Sequence, residues 1–139
     1  DARPWFERAQ LADPTNPTIK LNLGHIAMAE GRLTEAESLL EEAVAANPGS
    51  FEGWNALGIV CARRRDAEGA VAAWERAHEI SPEAIGVVFN LGLAHAQAGN
   101  LSQAIGYFED FAAQAEPGPQ REQAITMAQR LRQRVSQGQ

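Results

Sequence analysis

The chain has 139 residues, of which 45% are hydrophobic and 22% charged, so its composition is that of a folded domain or short repeat array and excludes a disordered segment. Its net charge of −6 disfavours nucleic acid and anionic membranes as partners, because their phosphates attract clustered Lys and Arg. The single cysteine, Cys61, excludes a disulfide framework, and the absence of an apolar run of about eighteen residues argues against membrane insertion.

The basic residues and the start of the chain bear on its source. Eleven of the twelve basic residues are Arg, which we interpret as the base-composition habit of a bacterial source. The chain begins at Asp1 with a helix-like pattern, which indicates a piece of a longer protein. We expect a soluble protein, for which a cytoplasmic location is favoured, and a targeting signal upstream of Asp1 is compatible with the sequence.

Leu-Gly pairs recur along the chain at a fixed interval. The glycines are Gly24, Gly58 and Gly92, thirty-four residues apart. A stride of this length is the signature of a repeat architecture. Other places recur in the same register, namely a small residue (Ala36, Ala70, Ala104), a bulky apolar residue (Leu40, Trp74, Phe108) and a proline near the end of the unit (Pro48, Pro82).

Each unit predicts two helices, a first helix carrying Leu-Gly and a second carrying the alanine and the bulky residue. In chain order we predict the second helix of a preceding repeat at 1–16, repeats at 17–50, 51–84 and 85–118, and a C-terminal capping helix at 119–139. The last segment has an apolar face but no Leu-Gly pair, so we interpret it as the cap that shields the open end of an array.

The predicted helix starts and turns have their own signals. Asn16 and Ser81 each precede a proline, which is typical of a helix start, and Thr34 with Glu37 fits a capping box. Gly31 and Gly99 mark the turns inside the first and third units.

This pattern resembles the tetratricopeptide repeat family, over roughly residues 1–118. The resemblance implies an all-α fold, a right-handed α-solenoid of stacked antiparallel helix hairpins. Two departures carry expectations. Arg65 replaces the turn glycine of the second unit, so we expect strain or a shifted turn there. Phe111 replaces a small alanine, so it should push the last hairpin apart or fill a gap against the C-terminal helix.

The resemblance also implies where a partner binds, because in this family the first helices line a concave groove. The places carried over to this chain are Thr18, Leu21, Asn22, His25, Met28, Glu52, Asn55, Ile59, Arg63, Phe89, Asn90, Leu93 and Gln97. Their composition, with Leu21, Ile59, Phe89 and Leu93 as an apolar stripe, favours a protein or peptide partner.

Alternatives remain open at these positions. The apolar side chains either line the groove or pack as ordinary core. The asparagines either bind a partner's backbone or satisfy backbone groups of their own chain. One subset of the family binds a peptide's terminal carboxylate with cations. In this chain Thr18, Leu21, Gly86 and Asn90 occupy the places where cations are needed, which disfavours this mode of binding.

The sequence predicts no catalytic, cofactor or metal site. The histidines His25, His78 and His95 do not lie at ligand spacing, although His95 and Cys61 hold the same place in adjacent units. Cys61 falls on a face predicted to be buried, which favours an inert thiol. Arg63-Arg64-Arg65 is interpreted as a run that complements the dipole at a helix end. The glutamates of the first unit, Glu35, Glu37, Glu41 and Glu42, are expected to face solvent.

Two hypotheses follow. The first is a non-enzymatic interaction module, or scaffold, that holds a protein or peptide in an apolar groove. The second is a structural repeat domain that associates with itself or docks onto another domain of a larger parent protein. The sequence does not name the partner.

Overall fold

A computed structural model describes residues 16–138 of the chain. Residues 1–15, which carry most of the helix predicted at 1–16, lie outside the described part. The helices of the described part are α1 (Pro17–Ala29), α2 (Leu33–Ala46), α3 (Phe51–Arg63), α4 (Ala67–Ile80), α5 (Ile85–Gln97), α6 (Leu101–Gln114) and α7 (Pro119–Ser136).

The helices form three hairpins and a final helix. Each helix packs against the next one in the chain, and the first helices of the first two hairpins, α1 and α3, also touch. The first helices α1, α3 and α5 begin at residues 17, 51 and 85, so the structural interval equals the sequence interval of the Leu-Gly pairs. The described residues contain no strand. The prediction of an all-α solenoid is confirmed.

The Leu-Gly glycines lie where the two helices of each hairpin approach most closely. A Cβ atom on Gly24 would come within 2.7 Å of Leu40, one on Gly58 within 2.6 Å of Trp74, and one on Gly92 within 2.7 Å of Phe108. The bulky residue of each second helix therefore occupies the space that a side chain on the glycine would need. This contact explains why the two signals share one period, since the glycine and the bulky residue are a packing pair.

The turn inside each hairpin has the same geometry in all three units. Gly31 and Gly99 have φ of 78° and 86°, and Arg65 has φ of 63° in the equivalent place. In the second unit the Asp66 N–H donates to the Cys61 carbonyl at 2.8 Å and the Arg65 N–H to the Ala62 carbonyl at 3.0 Å. These bonds satisfy carbonyls left free at the helix end. Of the two outcomes expected at Arg65, strain or a shifted turn, the structure has the first, because the chain keeps the left-handed turn without glycine.

One predicted helix start is confirmed and two are wrong. Asn16 caps α1, accepting from the Thr18 and Ile19 N–H groups at 2.9 and 3.3 Å. Ser81 instead ends α4, and α5 starts only at Ile85 after Ala84. Proline cannot continue the ladder of the preceding helix, so here it marks the stop of α4.

The capping box predicted for Thr34 and Glu37 is also wrong. The left-handed turn brings the chain back early enough for α2 to begin at Leu33, so Thr34 is already helical. Arg32 holds the cap position and makes no side-chain cap bond. Its guanidinium instead pairs with Glu30 and Glu35.

The core consists of two buried clusters, and the partly buried Tyr107 packs against both. One cluster joins the first two hairpins to α5, through residues such as Leu40, Val60 and Leu91. A second cluster joins the third hairpin to α7, and there Phe111 is 3% exposed among Ala124, Ala128 and Leu131. Phe111 therefore fills the gap against the C-terminal helix, which is one of the two outcomes expected from the sequence.

Among residues 16–138, no helix has the length and apolar character needed to cross a lipid bilayer.

Candidate partner-binding groove

The groove positions come from the first helices of the three hairpins, α1, α3 and α5. Residues at the same place in successive first helices form rows, because the helices repeat every thirty-four residues. We call the surface made by these rows the A face. From the N-terminal to the C-terminal ends of the helices, its rows are Thr18, Glu52 and Gly86; Leu21, Asn55 and Phe89; Asn22, Ala56 and Asn90; His25, Ile59 and Leu93; Met28, Ala62 and Ala96; and Ala29, Arg63 and Gln97.

None of the thirteen positions carried over from the family is fully buried. The polar residues at the two ends of the helices are exposed, namely Thr18, Glu52, Arg63 and Gln97. The others are half-buried, namely Leu21, Asn22, His25, Met28, Asn55, Ile59, Phe89, Asn90 and Leu93. The A face therefore has an accessible apolar middle between two polar edges.

The apolar side chains of the A face also pack against the core. Leu21, Met28 and Ile59 contact the cluster of the first two hairpins. Phe89 lies edge-to-face with Phe108, its ring centroid 5.5 Å away, and with Phe111 at 5.1 Å. Each of these side chains thus has one side in the core and one side open. The alternatives left by the sequence, groove or core, both apply to the same residues.

The asparagines of the A face differ in their hydrogen bonds. The Oδ1 atom of Asn55 accepts from the indole N–H of Trp74 at 2.9 Å, so this amide satisfies a buried aromatic side chain. Asn22 and Asn90 make no side-chain hydrogen bond to another residue of the described range 16–138. Their amides are half-buried and can donate to and accept from a partner's backbone.

A cleft lies at each end of the A face. At the N-terminal ends, the cleft between the first two hairpins is lined by Pro17, Thr18, Leu21, Ala43, Asn47, Ser50 and Glu52. At the C-terminal ends, a second cleft between the second and third hairpins is lined by Ala62, Arg63, Arg65, Ala67 and Gln97. The cleft brings together two members of the arginine run, Arg63 at the end of α3 and Arg65 in the turn that follows. The signal in the sequence was their closeness to one helix end.

Cys61 belongs to a cluster with two carboxylates. Its Sγ atom donates to Glu37 Oε1 at 3.5 Å, and ligand atoms of Glu37, Cys61 and Asp66 lie within 4.8 Å of one another. Burial, followed by the nearby Glu37 carboxylate, raises the pKa of Cys61 to about 12. The thiolate is the nucleophilic and metal-binding form of cysteine. At neutral pH Cys61 is therefore a protonated thiol that packs in the core.

The two carboxylates of this cluster already have partners. Glu37 pairs with Arg64, and Asp66 caps α4 by accepting from the Gly69 N–H at 3.0 Å. The cluster thus ties α2, α3 and α4 together. The expectation that Glu37 faces solvent is wrong, since it is half-buried, because α3 packs beside α2 and brings Cys61 and Arg64 against it.

His95 also has a packing environment. It is 6% exposed, its ring stacks on Tyr107 with centroids 5.4 Å apart, and its Nδ1 atom lies 3.2 Å from the Asn100 amide. Its Nε2 atom lies 3.8 Å from a carboxylate oxygen of Glu75. Among the described residues, His95 belongs to no cluster of metal-ligating side chains. Its interactions join the second and third hairpins.

The fold and the A face together define an α-solenoid built from helical-hairpin repeats. The chain belongs to the tetratricopeptide repeat family, because two family models, both described as tetratricopeptide repeat, match residues 21–85 and 57–132. Membership of this family points to protein–protein interaction.

Curated relatives match parts of the chain. It is 36% identical over 84 residues, 60% of its length, to Peroxisome biogenesis protein 5 of Arabidopsis thaliana, and spans 12% of that protein. It is 28% identical over 105 residues, 76% of its length, to the Peroxisomal targeting signal receptor of Saccharomyces cerevisiae, and spans 17% of it. It is also 28% identical over 117 residues, 84% of its length, to Protein FlbA of Caulobacter vibrioides, and spans 19% of it.

Proposed function

We propose that this chain is a non-enzymatic interaction module that holds a segment of a protein or peptide partner across the A face. The observation that carries the proposal is the half-buried row His25, Ile59 and Leu93, which crosses all three first helices and is apolar on two of them. It lies beside amides that can bind a partner's backbone. A segment crossing α1, α3 and α5 meets apolar side chains in the middle of the face and polar side chains at both of its edges.

The relatives support a protein or peptide as the ligand class. The name of the yeast relative describes a receptor for a targeting signal. The chain spans only a small part of each curated relative, so the name supports the class of ligand and not its identity.

A random peptide library displayed on phage tests this proposal. We expect the wild-type chain to enrich dodecapeptides that bind less tightly after Ile59→Arg or Leu93→Arg, because either change replaces an apolar side chain of this row by a cation. Val135→Arg is the matched control, since Val135 is exposed on α7, away from the A face. Circular dichroism must show that the variants remain folded. Enriched peptides that bind all variants equally would place the ligand elsewhere.

Light scattering separates binding of a foreign partner from self-association. A particle of 15.0 kDa that does not change with concentration is the expected result for a free A face. A dimer that Leu93→Arg abolishes would instead make a second copy of the chain the occupant. A dimer that survives this change would place the interface outside the A face, for example at the N-terminal end of the array.

We further propose the division of the chain given by its sequence, with the second helix of a preceding repeat at 1–16, repeats at 17–50, 51–84 and 85–118, and a cap at 119–139. The cap proposal is supported by Ala124, Ala128 and Leu131, which bury against the third hairpin. A chain ending at residue 118 should expose that apolar surface and aggregate. A truncated chain that stays monomeric and equally stable would exclude the cap role.

A further inference from the structure

The two edges of the A face differ in charge. The only charged residue in the row at the N-terminal ends is Glu52, and the only one in the row at the C-terminal ends is Arg63. These residues are eleven positions apart on α3, which places them about 16 Å apart along its axis. Since the chain as a whole carries a net charge of −6, a cationic edge is a local exception. A segment lying on this face meets opposite charges on its two flanks.

The three adjacent arginines at this edge are not equivalent. Arg64 pairs with Glu37 on α2 and is therefore neutralised. Arg63 donates only to the Met28 carbonyl, at 3.5 Å, and within residues 16–138 it has no ion pair. Arg65 makes neither an ion pair nor a side-chain hydrogen bond to any residue in that range. Two exposed cations thus remain without a carboxylate, and both line the cleft that Gln97 closes on the other side.

The acidic residue that follows them in the chain, Asp66, forms no ion pair with either arginine. Asp66 follows Arg65 directly, but one carboxylate oxygen accepts from Gly69 at the start of α4. A carboxylate oxygen of Asp66 also lies within 4.8 Å of ligand atoms of Glu37 and Cys61, on the α2 side of the turn. The cleft therefore keeps its positive charge.

The backbone at Arg65 gives a second, independent observation. Its φ of 63° is a left-handed conformation, which the two equivalent turns fill with Gly31 and Gly99. A side chain is disfavoured in this conformation, and within residues 16–138 the side chain of Arg65 forms no hydrogen bond or ion pair that offsets the cost. Strain that no packing explains is found at binding sites, where the side chain acts on a ligand.

We propose that the cleft lined by Arg63, Arg65 and Gln97 binds the side-chain carboxylate of an Asp or Glu in the partner segment. The proposal rests on the proposed function, because the apolar side chains of the same segment must occupy the A face. The guanidinium groups supply charged donors and the Gln97 amide a neutral one. The partner is therefore an apolar segment with an acidic flank directed toward the turn between α3 and α4.

The position of the cations favours a side chain over a chain terminus. A terminal carboxylate held in the middle of the A face would meet the rows of Leu21 and Asn90, which contain no Lys or Arg. The cations lie instead at the edge, where a segment that crosses the first helices presents its flank. A side chain reaches this edge while the backbone continues across the face.

The dodecapeptides enriched by the wild-type chain test the proposal by fluorescence anisotropy. We expect them to combine apolar residues with Asp or Glu, and to lose affinity about fivefold when the acid is changed to its amide or when the protein carries Arg63→Gln or Arg65→Gln. Combining the peptide change with either protein change should cost little more than one alone. Arg64→Gln is the matched control, because it removes the same charge from the same run but outside the cleft.

Three other outcomes would each contradict one part of the proposal. Apolar peptides that bind wild type and both cleft variants equally would overturn the carboxylate site and leave the A face as the binding surface. Peptides whose affinity falls only when their C-terminus is amidated would show that the cleft binds a terminal carboxylate and not a side-chain carboxylate. If no peptide is enriched, both the cleft and the A face fail as peptide sites.

Arg65→Gly separates a binding role from a structural one. Glycine removes the left-handed strain and the guanidinium together, so the variant should resist denaturant at least as well as wild type while binding the acidic peptides more weakly. An Arg65→Gly variant that unfolds more easily would show that the arginine stabilises the turn, and unchanged peptide affinity would remove it from the site.

Discussion

Gly58→Ala tests the packing pair that gives the chain its period. An added Cβ atom would lie 2.6 Å from the Cε2 and Nε1 atoms of Trp74. The indole is rigid, 5% exposed and fixed by its hydrogen bond to Asn55, so it cannot move aside by turning a flexible end. Either α3 and α4 separate or Trp74 leaves its position, and each response loses buried contacts.

The magnitude follows from two opposing effects. Replacing glycine by alanine inside a helix stabilises it by about 0.8–1 kcal/mol. Overpacking a closed core costs about 1–3 kcal/mol, and loss of the Trp74 hydrogen bond adds about 1 kcal/mol. We therefore expect Gly58→Ala to lower the free energy of unfolding by roughly 1–3 kcal/mol.

Gly106→Ala is the matched control. Gly106 is exposed within α6, and a Cβ atom there would have no neighbour within 4 Å. Because the added methyl group meets no neighbour, only the higher helix propensity of alanine changes the stability, and the free energy of unfolding should rise by about 1 kcal/mol.

Urea denaturation followed by circular dichroism at constant pH measures both variants. For an m value of about 2 kcal/mol/M, the midpoints should move in opposite directions and differ by roughly 1–2 M. If Gly58→Ala were as stable as Gly106→Ala, the close approach of α3 and α4 would not be what the Leu-Gly pair provides.

Three further predictions use the same assay. Arg65→Gly should raise the free energy of unfolding by up to about 1 kcal/mol, and a clear decrease would contradict the strain at this turn. Since the pKa of Cys61 is raised to about 12 from 9.0, its contribution is complete below pH 9 and is lost as pH rises toward 12. Cys61→Ala should flatten that alkaline decline, and an unchanged slope would refute the attribution. Phe111→Ala should cost about 3–5 kcal/mol by opening the contact with α7, whereas an unmoved midpoint would refute this packing.

The fold was predictable because its decisive contacts are local and periodic. Gly24 and Leu40 lie within one hairpin, and the same pair of places recurs thirty-four residues later. Because the same packing contact recurs in every hairpin, a wrong interpretation of one residue does not change the predicted fold. The turn at Arg65 shows this: the sequence left strain or a shifted turn open, and the structure keeps the conformation of the two equivalent glycine turns.

Contacts that occur in only one hairpin were not predictable in the same way. The approach of Glu37 to Cys61, and the pairing of Glu37 with Arg64, depend on how α2 and α3 pack side by side. Nothing in the period fixes them. The cap signals failed for a related reason: Thr34 and Ser81 have suitable chemistry, but the turn geometry and a proline set the helix boundaries first.

The A face combines both kinds of information, which is why its outline was predictable and its chemistry was not. Its rows follow from the period, but each side chain is divided between core and surface. Asn55 is used by Trp74, whereas Asn22 and Asn90, one place further along their helices, make no such bond within residues 16–138. For the proposed partner, specificity therefore resides where the repeats differ from one another. The largest such difference at the edge of this face is Arg63 and Arg65 of the second hairpin, which form no ion pair within residues 16–138, and the proposed partner has to distinguish that hairpin from its neighbours.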